Sequence, residues 1–300
     1  MERISVFDIF KIGIAPSSSH TMGPWTASQF FLDEIKEEIQ SVIRVDVLLY
    51  GSLAKTGKGH GTDMAVILGL NGADPVTIPV TSVNVDLQQI SSSKKIKLNG
   101  IHSIPFNPEE NIHFLFDQIL PFHANGLTFV AELTNGKNIA HTYYSIGGGF
   151  VVKENETKYK SEFAKPYPID KASDLKKWCQ ELNKSISEVV MENEKAIRSE
   201  EEIKSGLLHL WQIMKTCIYE SCKKEGVLPG GLNVQRRAAE ISKKLLQDEN
   251  LLSCDEWMNY IKEQPHNFNT TLKWLSCFAL AVNEENAAYG RIVTAPTNGA

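Results

Sequence analysis

The chain has 300 residues, 42% of them hydrophobic and 22% charged, with a formal net charge of −5. That is ordinary globular composition, enough for about two domains and a real core. Lysine and glutamate are interspersed and form no basic stripe, so neither nucleic acid nor an anionic membrane is an expected partner.

The start, MERISVFDIFKIGIAPSSSH, is interrupted by Asp8 and Lys11 and does not read as a signal peptide. No run reaches the roughly 18 apolar residues of a membrane span. The cytoplasm is therefore the default expectation. The five cysteines, Cys179, Cys217, Cys222, Cys254 and Cys277, include no CxxC pair. They read as reduced thiols packed like small hydrophobes. Cys217 and Cys222 would stand about 140° apart around one helix, poor geometry for sharing a metal.

In chain order, a helix is expected after Pro24, the favoured first helical position. Val42–Tyr50 (VIRVDVLLY) alternates as a half-buried strand does, and another helix is expected after the capping pair Thr62-Asp63. Val76–Val80 and Ile96–Leu98 are short extended candidates. Leu127–Leu133 and Ile139–Tyr144 flank Asn135-Gly136, a strong hairpin signal. Lys153–Lys171, polar and holding Pro166 and Pro168, reads as a linker. Beyond it strand signals vanish. Ile186–Glu225 carries apolar residues at helical spacing and stops at Gly226, with Pro229 just after. Val234–Leu246 and Thr270–Ala288 are further helices. The expected architecture is an α+β domain over residues 1–152, a linker over 153–171, and the first part of an all-α helical catalytic domain over 172–300.

Four constellations could carry chemistry. APSSSHTMGP (Ala15–Pro24) places hydroxyls and His20 just before a helix start, where free N–H groups would cradle a carboxylate or phosphate; a solvated N-cap loop is the bland alternative. YGSLAKTGKGHGTD (Tyr50–Asp63) is rich in glycine and presents Lys55, Lys58 and His60. It lacks P-loop spacing, and a flexible turn competes with a ligand loop. LPFHANGL (Leu120–Leu127) sets His123 before a strand, and YYSIGGGF (Tyr143–Phe150) ends a strand on three glycines, signalling a bulge or a close ligand. EGVLPGGL (Glu225–Leu232) joins the terminal NEENAAYGRIVTAPTNGA, in which Glu284 and Glu285 read as a solvated face.

Together, PSSSHTMGP, YGSLAKTGKGHGTD, LPFHANG, YYSIGGGF and NEENAAYGRIVTAPTNGA resemble the bacterial iron–sulfur L-serine dehydratase (L-serine ammonia-lyase) family over nearly the whole chain. The resemblance implies an α+β domain, a helical catalytic domain, and a [4Fe–4S] cluster between them. It also implies conversion of L-serine to pyruvate and ammonia without pyridoxal phosphate, a step in amino-acid catabolism and gluconeogenesis. His60 is implied as leading base, with His20 assisting and His123 guarding the entrance. Ser17, Ser18, Ser19 and Thr21, with Thr294, Thr297 and Asn298, would hold the substrate. The family's cluster cysteines lie after TAPTNGA and are expected beyond Ala300, so no metal ligand is carried over to this sequence. Gly61 stands where many members have a second histidine, and Tyr289 where many have glycine.

L-serine is the expected partner, and a homo-oligomer is compatible with the family. A related lyase such as a cysteine desulfidase, and a non-catalytic amino-acid-sensing subunit, are the rival readings. The sequence stops at Ala300, inside a turn dense in hydroxyl and amide groups, and reads as C-terminally truncated. On that reading the 300-residue chain is expected neither to assemble a cluster nor to dehydrate serine. The apolar faces of Trp211, Trp274 and Phe278 would be uncovered and promote aggregation, whereas Met1–Val152 would fold alone.

Overall fold

The computed structural model describes residues 4–14, 17–156, 165–229, 232–246, 253–265 and 267–295. A single helical turn, α1 (Val6–Ile9), precedes strand β1 (Lys11–Ile14). A π-helical turn over Ser18–Met22 then runs without a break into α2 (Gly23–Glu34). There follow β2 (Val42–Tyr50), α3 (Gly51–His60), α4 (Thr62–Leu70), α5 (Val80–Ser93), the β3 (Lys95–Leu98) and β4 (His102–Pro105) hairpin, α6 (Pro108–Asn111) and β5 (Ile112–Leu115). Strands β6 (Gly126–Leu133), β7 (Asn138–Gly147) and β8 (Phe150–Lys153) close this half. The second half is helical: α7 (Ala172–Leu182), α8 (Ile186–Lys195), α9 (Glu200–Ser221), α10 (Ala238–Leu246), α11 (Cys254–Glu263) and α12 (Phe268–Ala287). Strand β9 (Arg291–Thr294) follows α12. The expected class, an α+β half followed by a helical one, describes this architecture.

The main sheet runs β5–β2–β6–β7–β8, with β2 and β5 parallel and the other pairs antiparallel. Val45, Val47 and Leu49 point from β2 into the core, as its alternation requires. Helix α2 covers the sheet with Ala27, Phe31 and Leu32, and Phe31 stacks on Phe129 of β6 at 5.0 Å. The β6–β7 hairpin forms around Asn135-Gly136 as expected.

The two halves are stitched by the N-terminal segment. β1 pairs antiparallel with β9, from Lys11 opposite Thr294 to Ile14 opposite Arg291. Just upstream, the Glu194 carboxylate of α8, 1% exposed, accepts hydrogen bonds from the Ser5 hydroxyl (2.7 Å), the Val6 N–H (2.9 Å) and the Arg198 guanidinium (2.9 Å). A carboxylate is held at such depth only when its lone pairs are filled this way.

Several sequence expectations are corrected. Val76–Val80 is not extended: residues 74–78 form a turn, and Val80 opens α5. The helix expected over Ile186–Glu225 is two helices, because Ser199 caps a fresh start with the Glu202 carboxylate closing the capping box. The glycine-rich Gly51–His60 is helix α3 rather than a flexible loop. Its first N–H groups are anchored outside the helix, Gly51 to the Gln118 carbonyl (2.8 Å) and Ser52 to that of Ala124 (2.9 Å), and Leu53 and Ala54 are buried. Gly51 itself sits at φ +50° with the Ala124 oxygen 2.4 Å from where a Cβ would be, so only glycine fits.

Glu284 and Glu285 are not a solvated face. They are 4% and 5% exposed. Glu284 accepts from the Arg237 (2.7 Å) and Ala238 (3.2 Å) N–H groups at the start of α10, and Glu285 binds Lys224 at 2.6 Å. Nor are Trp274 and Phe278 uncovered: Trp257 of α11, a helix the sequence reading lacked, packs on both at 5.9 and 5.6 Å. Trp211 does remain 48% exposed.

Candidate active site

The serine-rich turn and the glycine-rich helix, some forty residues apart in the chain, meet at the edge of the first half. Two threonines lock them crosswise. The Thr21 hydroxyl donates to the His60 carbonyl at 2.6 Å, and the Thr62 hydroxyl donates to the His20 carbonyl at 2.5 Å. Both threonines are fully buried. The Ser145 hydroxyl of β7, likewise buried, donates to the Ser19 carbonyl at 2.6 Å, and the Asn125 amide donates to the Ser145 carbonyl at 3.1 Å. Ser145 comes so close to Gly23 that a Cβ there would lie 1.9 Å from its hydroxyl oxygen.

This frame sets the imidazoles of His20 and His60 side by side, ring centroids 4.9 Å apart and planes tilted by 37°. His20 is held at both nitrogens by hydroxyls, Nδ1 to Ser19 at 2.9 Å and Nε2 to Ser52 at 2.8 Å. Burial, reinforced by the charge of His60, pulls the His20 pKa below the usual histidine value. It is therefore neutral at physiological pH. His60 Nδ1 lies 3.0 Å from the Thr56 carbonyl one turn earlier. A carbonyl only accepts, so Nδ1 carries a proton, and in the neutral form of the ring the lone pair falls on Nε2. Asp63, two residues beyond the His60–Gly61 junction, has its carboxyl pKa raised by burial.

Not every expected site residue joins this pair. The Thr21 hydroxyl, expected among the substrate ligands, donates to the His60 carbonyl and so latches the two motifs together. The cradle expected at the N–H groups of Thr21 to Gly23 is corrected. The π-helical turn uses them, Thr21 and Met22 donating to the Ser17 carbonyl at 3.0 and 3.2 Å and Gly23 to that of Ser18. Ser17 accepts from the His20 N–H at 3.2 Å and lies 3.4 Å from the Ser19 hydroxyl. Ser18 heads the same turn. His123 is half-buried and accepts the Asn125 N–H at 3.1 Å. Its neighbour Ala124 accepts the Ser52 N–H at the start of α3. Thr294 is buried in β9 opposite Lys11, at the end of that ribbon remote from Ile14, where the chain leaves for the serine turn. Thr297 and Asn298 lie outside the described residues. So does Ala300, the position beyond which the cluster cysteines are expected.

Sequence reasoning quoted Ser52, Thr62, Asn125 and Ser145 inside its motifs but assigned none of them. The available signal was their position: each is a small polar residue in a segment already singled out for its glycines or its histidine. The cysteines converge only in part. Cys222 and Cys277 lie with sulfurs 3.7 Å apart in the helical core, and burial raises the Cys217 thiol to about 12. Among the described residues no three histidine, cysteine, aspartate or glutamate side chains are placed to hold a metal ion, and no helix is long and apolar enough to cross a membrane.

The chain matches known proteins along nearly its whole length. Residues 5–156 match the serine dehydratase beta chain family and residues 181–300 the serine dehydratase alpha chain family. It is 42% identical over 304 residues to L-serine dehydratase of Streptomyces coelicolor, covering 99% of this chain and 63% of that protein. L-serine dehydratase 1 of Escherichia coli is 43% identical over 304 residues with the same coverage. L-serine dehydratase of Helicobacter pylori is 36% identical over 309 residues, covering 100% of this chain and 64% of that one. The chain thus spans just under two thirds of the length of these relatives. With both family patterns present in order and the quoted motifs folded against one another, the chain belongs to the serine dehydratase family.

Proposed function

We propose that this chain supplies the base-carrying part of an L-serine ammonia-lyase. The observation that carries the reading is the His20–His60 pair, in which one imidazole is clamped neutral between hydroxyls and the other keeps a free Nε2 lone pair. Abstracting the poorly acidic Cα hydrogen of serine requires such a base, neutral near physiological pH. His60 Nε2 takes that proton. The Cα–H electrons form the Cα–Cβ double bond as hydroxide leaves Cβ. The aminoacrylate product tautomerises to an imine, and water hydrolyses it to pyruvate and ammonia. His20 orients His60 through ring contact and presents Ser19 and Ser52 as a polar wall for the substrate. Ser17, Ser18 and Ser19, on the turn that carries His20, are the substrate ligands in this reading, and His123, next to the Ala124 that anchors α3, is its entrance residue.

Family resemblance implies a [4Fe–4S] cluster, a group that would supply Lewis acidity toward a leaving hydroxide. The described cysteines do not fit it: the Cys222–Cys277 pair is buried in a helical core, and no third ligand converges on it. We therefore read the cluster thiolates as lying outside the described residues.

A polypeptide of the relatives' full length carrying this sequence, prepared anaerobically and offered L-serine, L-threonine and L-cysteine separately, tests the proposal. Pyruvate from L-serine at the highest kcat/KM is expected. Preference for L-cysteine with sulfide release would replace it by a desulfidase. Saturable serine binding without turnover would favour the sensing subunit.

A further inference from the structure

Helix α12 ends in an unusual way. Its last N–H groups turn back on Asn286 and Glu285, and the residue in the left-handed position, where glycine is the norm, is Tyr289 at φ +56°. A bulky residue keeps such a backbone only where the surroundings over-determine it. The surroundings here belong to the other half of the molecule. The Tyr289 ring packs against the buried cluster of Ile14, Trp25, Met64, Ala65 and Leu68. Its edge lies over Gly61, so that a Cβ on Gly61 would be 2.9 Å from the Tyr289 Cε1 atom.

Gly61 is no ordinary neighbour. At φ +64° it closes α3 directly after His60 and opens α4 directly before Thr62 and Asp63. Its N–H bonds back to Lys58 at 3.4 Å, and its carbonyl accepts from Ala65 at 3.0 Å. The bend of this junction therefore helps to direct His60, together with the Thr21 and Thr56 contacts. The ring from α12 fills the space on its outer side, and burial together with the charge of Asp63 raises the phenol pKa, keeping the hydroxyl protonated. Gly61 and Tyr289 thus face one another across the boundary between the halves, with no room between them for a Gly61 side chain. The bulk absent on one side of the contact is present on the other.

We propose that Tyr289 is a positioning residue for the histidine pair: its ring, delivered from the helical half, wedges the Gly61 junction and holds His60 against His20. The wedge itself is a matter of packing and stands whether or not His60 is the base. Its consequence for turnover rests on the function proposed above.

The test uses the 300-residue chain with histidine rings isotopically labelled. Close imidazoles should give cross-relaxation between the His20 and His60 ring protons. Tyr289→Phe should leave that signal and the His20 titration unchanged. Tyr289→Gly, which relieves the left-handed backbone and should fold, is expected to weaken the signal at least twofold and raise the His20 pKa toward its ordinary value. Tyr289→Asn, which also tolerates that backbone, should behave as Tyr289→Gly does. An unchanged ring signal and titration in both small variants would overturn the proposal, and so would a Tyr289→Phe that behaves like them. A second arm reads stability. Gly61→Ala should lower the urea midpoint more in the parent than in the Tyr289→Gly background, because the ring that Cβ would strike is gone. Equal losses in the two backgrounds would likewise sink the wedge.

Discussion

The sheet region packs twenty-five buried residues, from Ala27 to Val151, into one cluster, whereas the cluster among the described helices of the second half has eight, gathered round Trp257 and Trp274. The histidines that can do chemistry stand on the larger cluster, at the ends of elements that it fixes. The described residues of the helical half bring no imidazole to the pair. That half contributes β9, alongside β1, and the ring of Tyr289. Rigidity and reactive groups therefore reside in one half, and the other half acts on the site through a narrow strip of contacts. A domain with few buried residues is the one expected to open first.

The comparison breaks most sharply if catalysis is removed while the sheet region stays intact. His60→Ala in a full-length version should lower kcat by about 10²–10⁴, the usual cost of losing a general base, and leave binding of a serine analogue and the melting of the sheet region nearly unchanged. If turnover survived in His60→Ala and vanished in His20→Ala, the two roles would exchange. Stability should respond in the opposite half. Trp257 is 2% exposed and contacts the rings of Tyr219, Trp274 and Phe278. Trp257→Ala is expected to cost about 3–5 kcal/mol and to melt the helices before the sheet. Hydrogen exchange that quickens in α9 to α12 while β2 and β6 stay protected would show it; uniform quickening would mean that the halves unfold as one.

The elements legible in the sequence were those with strong local signals. Val42–Tyr50 alternates, Asn135-Gly136 turns, and Pro24 opens a helix, and each local preference agrees with its tertiary setting. Gly51–His60 was illegible because glycine content argues against a helix. Its stability comes from the carbonyls of Gln118 and Ala124, more than sixty residues away in the chain. The histidine pair was half legible. Both rings sat in motifs that invited attention, but the Thr21 and Thr62 bonds that join those motifs carry no local pattern. Adjacent Glu284 and Glu285 looked like a solvated face because their partners, the N–H groups of Arg237 and Ala238 and the side chain of Lys224, are brought in only by packing of α10 and α9 on α12.

That buried pair offers a smaller test. Removing the Glu284 carboxylate by Glu284→Ala leaves two N–H groups at the start of α10 without an acceptor. It should cost about 1–3 kcal/mol, confined to the helical half and visible as faster exchange of the α10 amides. An equal loss of protection in β6 would contradict the division between the halves.

The smallest effect expected belongs to His20 and concerns the sheet region alone. Its folded pKa is lowered, first by burial and then by the charge of His60, so the folded state binds its proton less readily than the unfolded chain does. The resulting stability is fully present above the unfolded pKa of about 6.5 and is lost as pH falls from there through the folded value. Asp63 acts in the opposite sense. Burial raises its pKa, so the cost of its charge is present at neutral pH and is relieved as pH falls toward the unfolded carboxylate value. Comparing urea midpoints of the parent and His20→Gln at about pH 7.5 and about pH 5.5 separates the two, because Asp63 is present in both chains and only the parent has the His20 titration. The parent should lose more stability across the interval than His20→Gln, which keeps a polar group between Ser19 and Ser52 but cannot titrate. Equal losses would mean that His20 is hydrated in the folded chain, and that the hydroxyl clamp does not hold it neutral.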